Sequence, residues 1–246
     1  MKRRGIPEEG RNICGGLLAR QAAWYPPGVP LRASASRSAR LVRLHGLYAI
    51  VGGSDPVAQA ALALDGGATV LQLRVKSWPG AELVAVAVRL VALARGRALV
   101  IVNDRADLAL LAGADGVHVG DEDLPVEAVR RVVGPDLLVG RSTRTLGEGL
   151  AALAAGADHV GFGPIFATAT KLIAGPPRGL AMLAEVVGGL PAPLVAIGGI
   201  GLDTIGPVAA SGAAAAAVIG AIFEAPDPRR QAAALAAAFA AGKARP

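Results

Sequence analysis

The stretch that decides the fold is IVNDRADLALLAGADGVHVGDEDLP, which runs from Ile101 to Pro125. It predicts two short apolar strands, Ala98–Val102 and Gly116–Val119, joined by a helix over Ala106–Leu111. A strand, a helix and a second strand in so few residues are typical of a parallel sheet, in which neighbouring strands end at the same edge. The polar residues that follow the two strands are therefore expected to meet at that edge.

Carboxylates follow both of these strands. Asp104 comes directly after the first strand, next to the amide of Asn103. Asp121, Glu122 and Asp123 come directly after the second. Carboxylate oxygens on neighbouring loops suit Mg²⁺, which also takes phosphate oxygens from a substrate. The alternative is that Asp104 caps the next helix and the acidic run is a solvated loop. The matching positions at the two strand ends favour the metal site.

The alternation of an apolar strand with an Ala/Leu-rich helix occurs eight times after Gly46. Near-continuous apolar strands indicate a parallel sheet that is covered on both faces. Eight such units in about 200 residues predict an α/β protein with the TIM, or (β/α)8, barrel fold, with its active site at the C-terminal ends of the strands. The alternative, an open doubly wound sheet, is disfavoured because no G-x-G-x-x-G follows the first strand. The predicted strands are Leu47–Val51, Val70–Leu73, Ala98–Val102, Gly116–Val119, Leu138–Val139, His159–Gly161, Leu194–Ile197 and Ala216–Ile219.

The composition indicates a large aliphatic core. Of 246 residues, 53% are hydrophobic, 18% are charged and only 3% are aromatic. No apolar run reaches the roughly 18 residues that a membrane helix needs, so no membrane partner is expected. The single cysteine, Cys14, allows neither an intramolecular disulfide nor a cysteine-based zinc site. A cytoplasmic location is therefore the expectation.

The basic character of the chain lies in its N-terminal segment. Residues 1–43 carry nine Lys and Arg and two acidic residues, a net +7, and the rest of the chain sums to −1. Because the body is nearly neutral, no nucleic-acid partner is expected. Residues 1–43 lack steady periodicity and predict a disordered basic tail before a barrel domain over residues 44–246. A transit peptide is an alternative, but Glu8 and Glu9 argue against it.

The residues after the second strand favour phosphate binding. Alternation along the chain places Gln72, Arg74 and Lys76 on one side. Three polar side chains are costly inside a barrel unless they are paired, so we expect them to cluster at its mouth. Arginine offers a planar fork and lysine a point charge to phosphate oxygens. An ordinary basic surface loop is the alternative.

Further polar positions follow the fifth and sixth strands. Ser142 suits either a phosphate or the cap of the helix that begins near Thr145, and the sequence does not separate these alternatives. Thr168, Thr170 and Lys171 lie close together after a Gly-Pro turn and predict an oxyanion-binding loop.

The last two strands end in glycines. Gly198 and Gly199 follow the seventh strand and Gly220 follows the eighth, where barrels commonly bind phosphate through backbone N–H groups. His118 is interpreted as a core or supporting histidine and not as a metal ligand. Two anion-binding regions in one mouth suit two phosphorylated substrates.

Five motifs together resemble the thiamine phosphate synthase family. They are QLRVK (72–76), NDR (103–105), ADGVHVGDEDLP (114–125), GPIFATATK (163–171) and AIGGI (196–200). Their order and spacing match the family from about Leu47 to Ala241. The resemblance implies a transferase that joins hydroxymethylpyrimidine diphosphate to hydroxyethylthiazole phosphate and releases pyrophosphate. It also implies a dissociative mechanism in which pyrophosphate leaves first.

The resemblance implies a role for each matching residue. Asp104 and Asp123 would hold the cofactor Mg²⁺, and Ser142 and Lys171 would act in catalysis, Lys171 by holding the pyrimidine diphosphate. The other residues of the pyrimidine diphosphate site would be Gln72, Arg74, Lys76 and Asn103. The residues of the thiazole phosphate site would be Thr168, Thr170, Gly199, Ile219 and Gly220. A homo-oligomer is compatible with the sequence but not indicated by it.

Four positions depart from the family pattern. Gly220 stands where serine is usual, which removes a hydroxyl donor to phosphate, and Asp121 stands where glutamine is usual. Arg141 and Arg144 stand where valine and histidine are common. The Gly-Arg-Ser triplet is similar to the related thiazole tautomerases, which lack the metal and diphosphate residues present here. A tautomerase-like protein or a non-catalytic thiazole-phosphate-binding paralogue are therefore the alternatives.

Overall fold

The computed structural model describes residues 36–168 and 176–244. The strands are β1 (Gly46–Val51), β2 (Val70–Leu73), β3 (Leu99–Asn103), β4 (Gly116–Val119), β5 (Leu138–Thr143), β6 (His159–Phe162), β7 (Leu194–Ile197) and β8 (Ala215–Val218). The helices are α1 (Arg37–Val42), α2 (Pro56–Asp65), α3 (Gly80–Leu93), α4 (Ala106–Leu111), α5 (Val126–Val133), α6 (Leu146–Ala154), α7 (Gly179–Gly189), α8 (Leu202–Ala210), α9 (Gly220–Phe223) and α10 (Pro228–Lys243). In the described part of the chain, no helix has the length and apolarity needed to cross a membrane.

The eight strands form a closed parallel barrel in chain order, which confirms the predicted TIM fold. Tyr48 of β1 pairs with Val70 of β2 and with Ala217 of β8, so β1 closes the ring. The largest difference from the predicted strands is in β5, which continues to Thr143 and carries Ser142 within the strand.

The strands separate the core into two layers, as their period of two requires. Outward-facing residues such as Ala49 and Val100 pack against the helices. A second cluster fills the interior of the barrel below and around the cavity, and its residues are Leu44, Tyr48, Ile50, Val70, Leu99, Ile101, Leu138, Val195, Ala215 and Ala217. The inner residues are mostly aliphatic, which agrees with the low aromatic content. Polar residues replace them towards the C-terminal ends of the strands.

Helix α1 lies within the segment that the sequence predicted to be disordered, so that prediction is wrong for residues 36–43. Arg40 is 4% exposed. Its Nε lies 3.2 Å from Asp115 Oδ1, and its Nη1 donates to the carbonyl of Asp136 at 2.9 Å. Arg37 forms an ion pair with Asp158 at 3.3 Å. These contacts attach α1 to the N-terminal end of the barrel. Residues 1–35 of the predicted tail lie outside the described residues.

Candidate active site at the C-terminal end of the barrel

The carboxyl ends of the strands surround a cavity of about 690 Å³. Eleven of the thirteen predicted site residues line it: Gln72, Arg74, Lys76, Asn103, Asp104, Asp123, Ser142, Thr168, Gly199, Ile219 and Gly220. The other two, Thr170 and Lys171, lie outside the described residues. The structure therefore brings the eleven together, and their individual roles stay predictions.

Asp104 and Asp123 form a carboxyl pair at the ends of β3 and β4. The backbone of Asp104 has a φ of +64°, which is rare for a residue other than glycine, and its N–H donates to the His118 carbonyl at 2.8 Å. Asp123 accepts from the Gly120 N–H at 2.7 Å. Burial of Asp104, then its hydrogen bond to Asp123 and the charge of Asp123, raise the pKa of Asp104 to about 6. Two carboxyl groups held this close favour a cation between them.

The predicted alternative for Asp104, a helix cap, is not what the structure shows. Helix α4 has Arg105 as its N-terminal flanking residue, and no side chain caps it. The described residues contain no group of three or more His, Cys, Asp and Glu side chains arranged around one point. A metal at the carboxyl pair would therefore need further ligands from substrate or water, as Mg²⁺ commonly has.

Cationic and amide side chains lie beside this pair. Lys76 Nζ is 3.9 Å from Asp104 Oδ2, and Lys76 and Arg74 both act to lower the pKa of Asp104 against the effects that raise it. Gln72 is 4% exposed, deeper than the predicted position at the mouth, and its Nε2 donates to the Tyr48 hydroxyl at 2.8 Å. Tyr48 is completely buried, which raises its pKa and keeps the phenol neutral. Tyr48 therefore fixes the orientation of the Gln72 amide.

Ser142 lies inside β5 and faces the barrel interior. Its hydroxyl shares a hydrogen bond of 3.0 Å with Nε2 of His118, in agreement with the supporting role predicted for that histidine. The helix-capping alternative is contradicted, because Thr145 caps α6 by accepting from the Glu148 N–H at 3.1 Å. Ser142 is thus held in place by its neighbour on β4.

The departures from the family pattern on the rim contact one another. Asp121 accepts from Arg141 at 3.1 Å and also from Arg144, and Arg141 donates to the carbonyl of Gly120. One carboxylate therefore joins two guanidinium groups across the ends of β4 and β5. This network holds the loop that carries Asp123.

Close backbone approaches shape the opposite side of the cavity. Gly199 has a φ of +64°, and a Cβ there would lie 2.4 Å from the Ala167 carbonyl, so only glycine fits. The carboxylate of Glu224 lies beside Gly220, with Oε1 2.7 Å from where a Cβ would stand. An acidic group therefore occupies the space that the usual serine side chain would enter.

The cavity floor contains a histidine for which no role was predicted. His159, at the start of β6, is fully buried and lines the cavity. Its ring centroid is 5.8 Å from that of His118. The available signal was a histidine at the start of a predicted apolar strand. Whether that histidine faces inward or outward depends on the register of the barrel strands, which the sequence alone does not provide.

The fold and the site define an enzyme of the α/β-barrel class with an acidic pair and cationic side chains in one cavity. The family model described as thiamine monophosphate synthase matches residues 47–222. The chain belongs to this family, which confirms the resemblance and the prediction of a transferase.

Individual relatives support the same family assignment. A thiamine-phosphate synthase of Anaeromyxobacter dehalogenans (strain 2CP-C) is 61% identical over 88% of this chain and 97% of its own length. One of Myxococcus xanthus (strain DK1622) is 49% identical over 76% of this chain and 86% of its own length. The solved thiamine phosphate pyrophosphorylase of Pyrococcus furiosus has a TM-score of 0.75 and 34% identity, covering 82% of this chain and 98% of that one.

Proposed function

We propose that the protein condenses hydroxymethylpyrimidine diphosphate with hydroxyethylthiazole phosphate to give thiamine phosphate and pyrophosphate. The observation that carries this proposal is the carboxyl pair Asp104–Asp123 with Lys76 at 3.9 Å, in the same cavity as Arg74 and Ser142. Such a set suits a diphosphate together with a divalent cation. The family supports the choice of substrates.

Asp104 and Asp123 would hold Mg²⁺. The fit is supported by the geometry of the pair: the two carboxyl groups share a hydrogen bond in one cavity, and burial together with Asp123 raises the pKa of Asp104. When bound, the metal neutralises charge on the diphosphate oxygens. Arg74 and Lys76 would bind the same diphosphate, and the family resemblance gives Lys171, which lies outside the described residues, the same role.

The reaction transfers the pyrimidine methylene group from oxygen to nitrogen. The C–O bond to the diphosphate breaks first, and its electron pair leaves with pyrophosphate. The lone pair of the thiazole nitrogen then forms the new C–N bond. Arg74 and Lys76 would stabilise the charge that grows on the leaving group, and Ser142 would donate to it or to the pyrimidine. No protein nucleophile is required, so positioning of the two substrates does the rest.

The thiazole phosphate would bind on the opposite side of the cavity. Backbone N–H groups at Gly199 and Gly220, with the hydroxyl of Thr168, offer donors to a phosphate there. Ile219 would contact the ring, and Thr170 would add a second hydroxyl. A cytoplasmic location, the absence of a nucleic-acid partner and a homo-oligomer stay predictions.

One assay separates this proposal from its alternatives. The full chain is incubated with both substrates, with and without Mg²⁺, and the products are followed by chromatography. The proposal expects thiamine phosphate only with Mg²⁺, and no product from Asp104→Ala or Asp123→Ala at unchanged circular dichroism. Asp107→Ala is a matched control, because this exposed carboxylate pairs with Arg105 outside the cavity. Thiazole isomerisation without metal would instead favour a tautomerase, and thiazole phosphate binding without turnover would favour a non-catalytic paralogue.

A further inference from the structure

The loop that carries Asp123 has little apolar packing to hold it in place. It spans residues 120–125, between β4 and α5. Leu124, its largest apolar side chain, is 53% exposed, and Asp121 and Glu122 are exposed as well. Segments with few buried apolar contacts open readily unless polar contacts restrain them. The position of Asp123 therefore depends on the hydrogen bonds that this loop makes.

The carboxyl pair makes such a restraint necessary. Asp123 shares a hydrogen bond with Asp104. When both carboxyl groups are ionised they repel each other, so the pair tends to separate unless the loop is held. A cation site that must first be assembled binds more weakly than a preformed one, because ordering the loop costs part of the binding free energy. An anchor on the loop would therefore act on the affinity for the cation.

Arg141 supplies an anchor from the neighbouring strand. Ser142 faces the barrel interior, so Arg141, the preceding residue of β5, points to the other face of the sheet. The guanidinium of Arg141 donates to the carbonyl of Gly120 and, at 3.1 Å, to Asp121 Oδ1. The Gly120 N–H in turn donates to Asp123 Oδ2 at 2.7 Å. Arg141 is thus joined to the Asp123 carboxylate through the backbone of Gly120.

Arg144 holds the same loop from a second side. Its guanidinium donates to Asp121 Oδ2, and its backbone N–H donates to Glu148 Oε2 at 2.6 Å. The side chains of Arg141 and Arg144 are 23% and 34% exposed, and that of Asp121 is 43% exposed. Ion pairs with this much exposure contribute little to global stability. The contacts therefore bear on the local geometry of the loop more than on the free energy of unfolding.

We propose that Arg141 is a positioning residue for the metal site, which holds the loop through Gly120 and Asp121 so that Asp123 stays beside Asp104. This inference rests on the proposed function and deepens it. Arg141 points away from the cavity, so it acts only through the place that it gives to Asp123. Residues that orient metal ligands commonly change metal affinity by about 10–100-fold. The lower end of that range is expected here, because Asp123 keeps its bond from the Gly120 N–H.

The sign of the effect separates positioning from simple charge. Arg141→Val removes a positive charge near the carboxyl pair, which by electrostatics alone would strengthen the binding of a cation there. Loss of the anchor weakens that binding instead. Arg141→Lys keeps the charge but lacks the fork that reaches two acceptors at once, so its affinity should lie between those of the wild type and Arg141→Val. Valine suits a strand, so Arg141→Val is expected to fold.

The test uses Mn²⁺ as the probe and the full-length protein. Its dissociation constant is measured by electron paramagnetic resonance without substrate, and again with inorganic pyrophosphate. Arg141→Val should bind Mn²⁺ about tenfold more weakly than the wild type at an unchanged melting temperature. Hydrogen exchange should become faster for the amides of residues 120–123 and stay the same in the strands. Arg97→Val is the matched control, because it removes an exposed arginine and its ion pair with Asp65 before β3, and its Mn²⁺ affinity should equal that of the wild type.

Each outcome decides for or against this role. Equal or tighter Mn²⁺ binding by Arg141→Val overturns the inference, as does a wild type that binds no Mn²⁺ with or without pyrophosphate. If Arg141→Val does not fold, Arg141→Lys decides, and an affinity equal to that of the wild type overturns the inference. A wild type that makes no thiamine phosphate but loses Mn²⁺ affinity in Arg141→Val would contradict the proposed function alone. Lower turnover of Arg141→Val at unchanged Mn²⁺ affinity would keep the proposed function and reject the positioning role.

Discussion

Replacing Arg40 by methionine should destabilise the barrel strongly, although Arg40 lies in α1, outside the ring of strands. The side chains of Arg40 and Asp115 are 5% and 1% exposed, so Arg40→Met leaves a carboxylate in a site that water does not reach. Removing one partner of such a pair costs about 3–5 kcal/mol. Asp115 keeps its bond from the Val100 N–H at 2.9 Å, which favours the lower end, about 3 kcal/mol.

Urea unfolding followed by circular dichroism measures this cost. A loss of about 3 kcal/mol corresponds to a fall of roughly 6–12 °C in melting temperature for a chain of this size. Arg97→Met is the control: its ion pair with Asp65 is shorter, at 2.8 Å, but both side chains are about half exposed, so less than 1 kcal/mol is expected. The double variant Arg40→Met/Asp115→Asn should recover much of the loss. Equal destabilisation by Arg40→Met and Arg97→Met would refute the argument that the burial of an ion pair, and not its N–O distance, decides how much the pair contributes to stability.

Three further predictions concern the cavity. Gly140→Ala should destabilise the protein by about 1–3 kcal/mol in urea unfolding, because its Cβ would overlap the rings of His118 and His159. Between pH 6.5 and 4 the unfolded chain protonates His159 and the folded chain does not, so stability is full above pH 6.5 and falls by up to about 3 kcal/mol on acidification to pH 4. His159→Phe should show a correspondingly flatter pH dependence of the unfolding free energy, and an identical slope would contradict this account. Glu224→Gln should lower the KM for thiazole phosphate several-fold by removing a negative charge beside Gly220, and an unchanged KM would place the phosphate elsewhere.

The barrel was predictable because its signal is repeated eight times along the chain. Apolar strands covered on both faces alternate with Ala/Leu-rich helices, and a closed parallel ring buries all of them. The exception is α1, whose six residues are too few and too basic to give an amphipathic pattern. Its stability comes from Arg40 and Asp115, which are 75 positions apart, and such a pairing is not visible in local sequence.

The site was predictable to the extent that it depends on strand ends. Asp104, Lys76 and Arg74 could be placed together because parallel strands end at one edge. The supporting contacts were not predictable, since Tyr48 reaches Gln72 and His118 reaches Ser142 through the register of inward-facing positions. The end of β5 is the difference that most changes the site. The predicted strand ends at Val139, which assigns Ser142 to a loop, whereas in the structure Ser142 lies within β5.

The two histidine rings at the floor of the chamber fit there because side chains are missing beside them. Gly140 and Gly161 face inward on neighbouring strands, and the space that a Cβ would take is occupied by the rings of His118 and His159 at Gly140 and by the ring of His118 at Gly161. The depth of the cavity is therefore set at two ring positions, His118 and His159, which both line it. Single substitutions there would change the space available at the floor and leave the outward-facing layer between sheet and helices as it is.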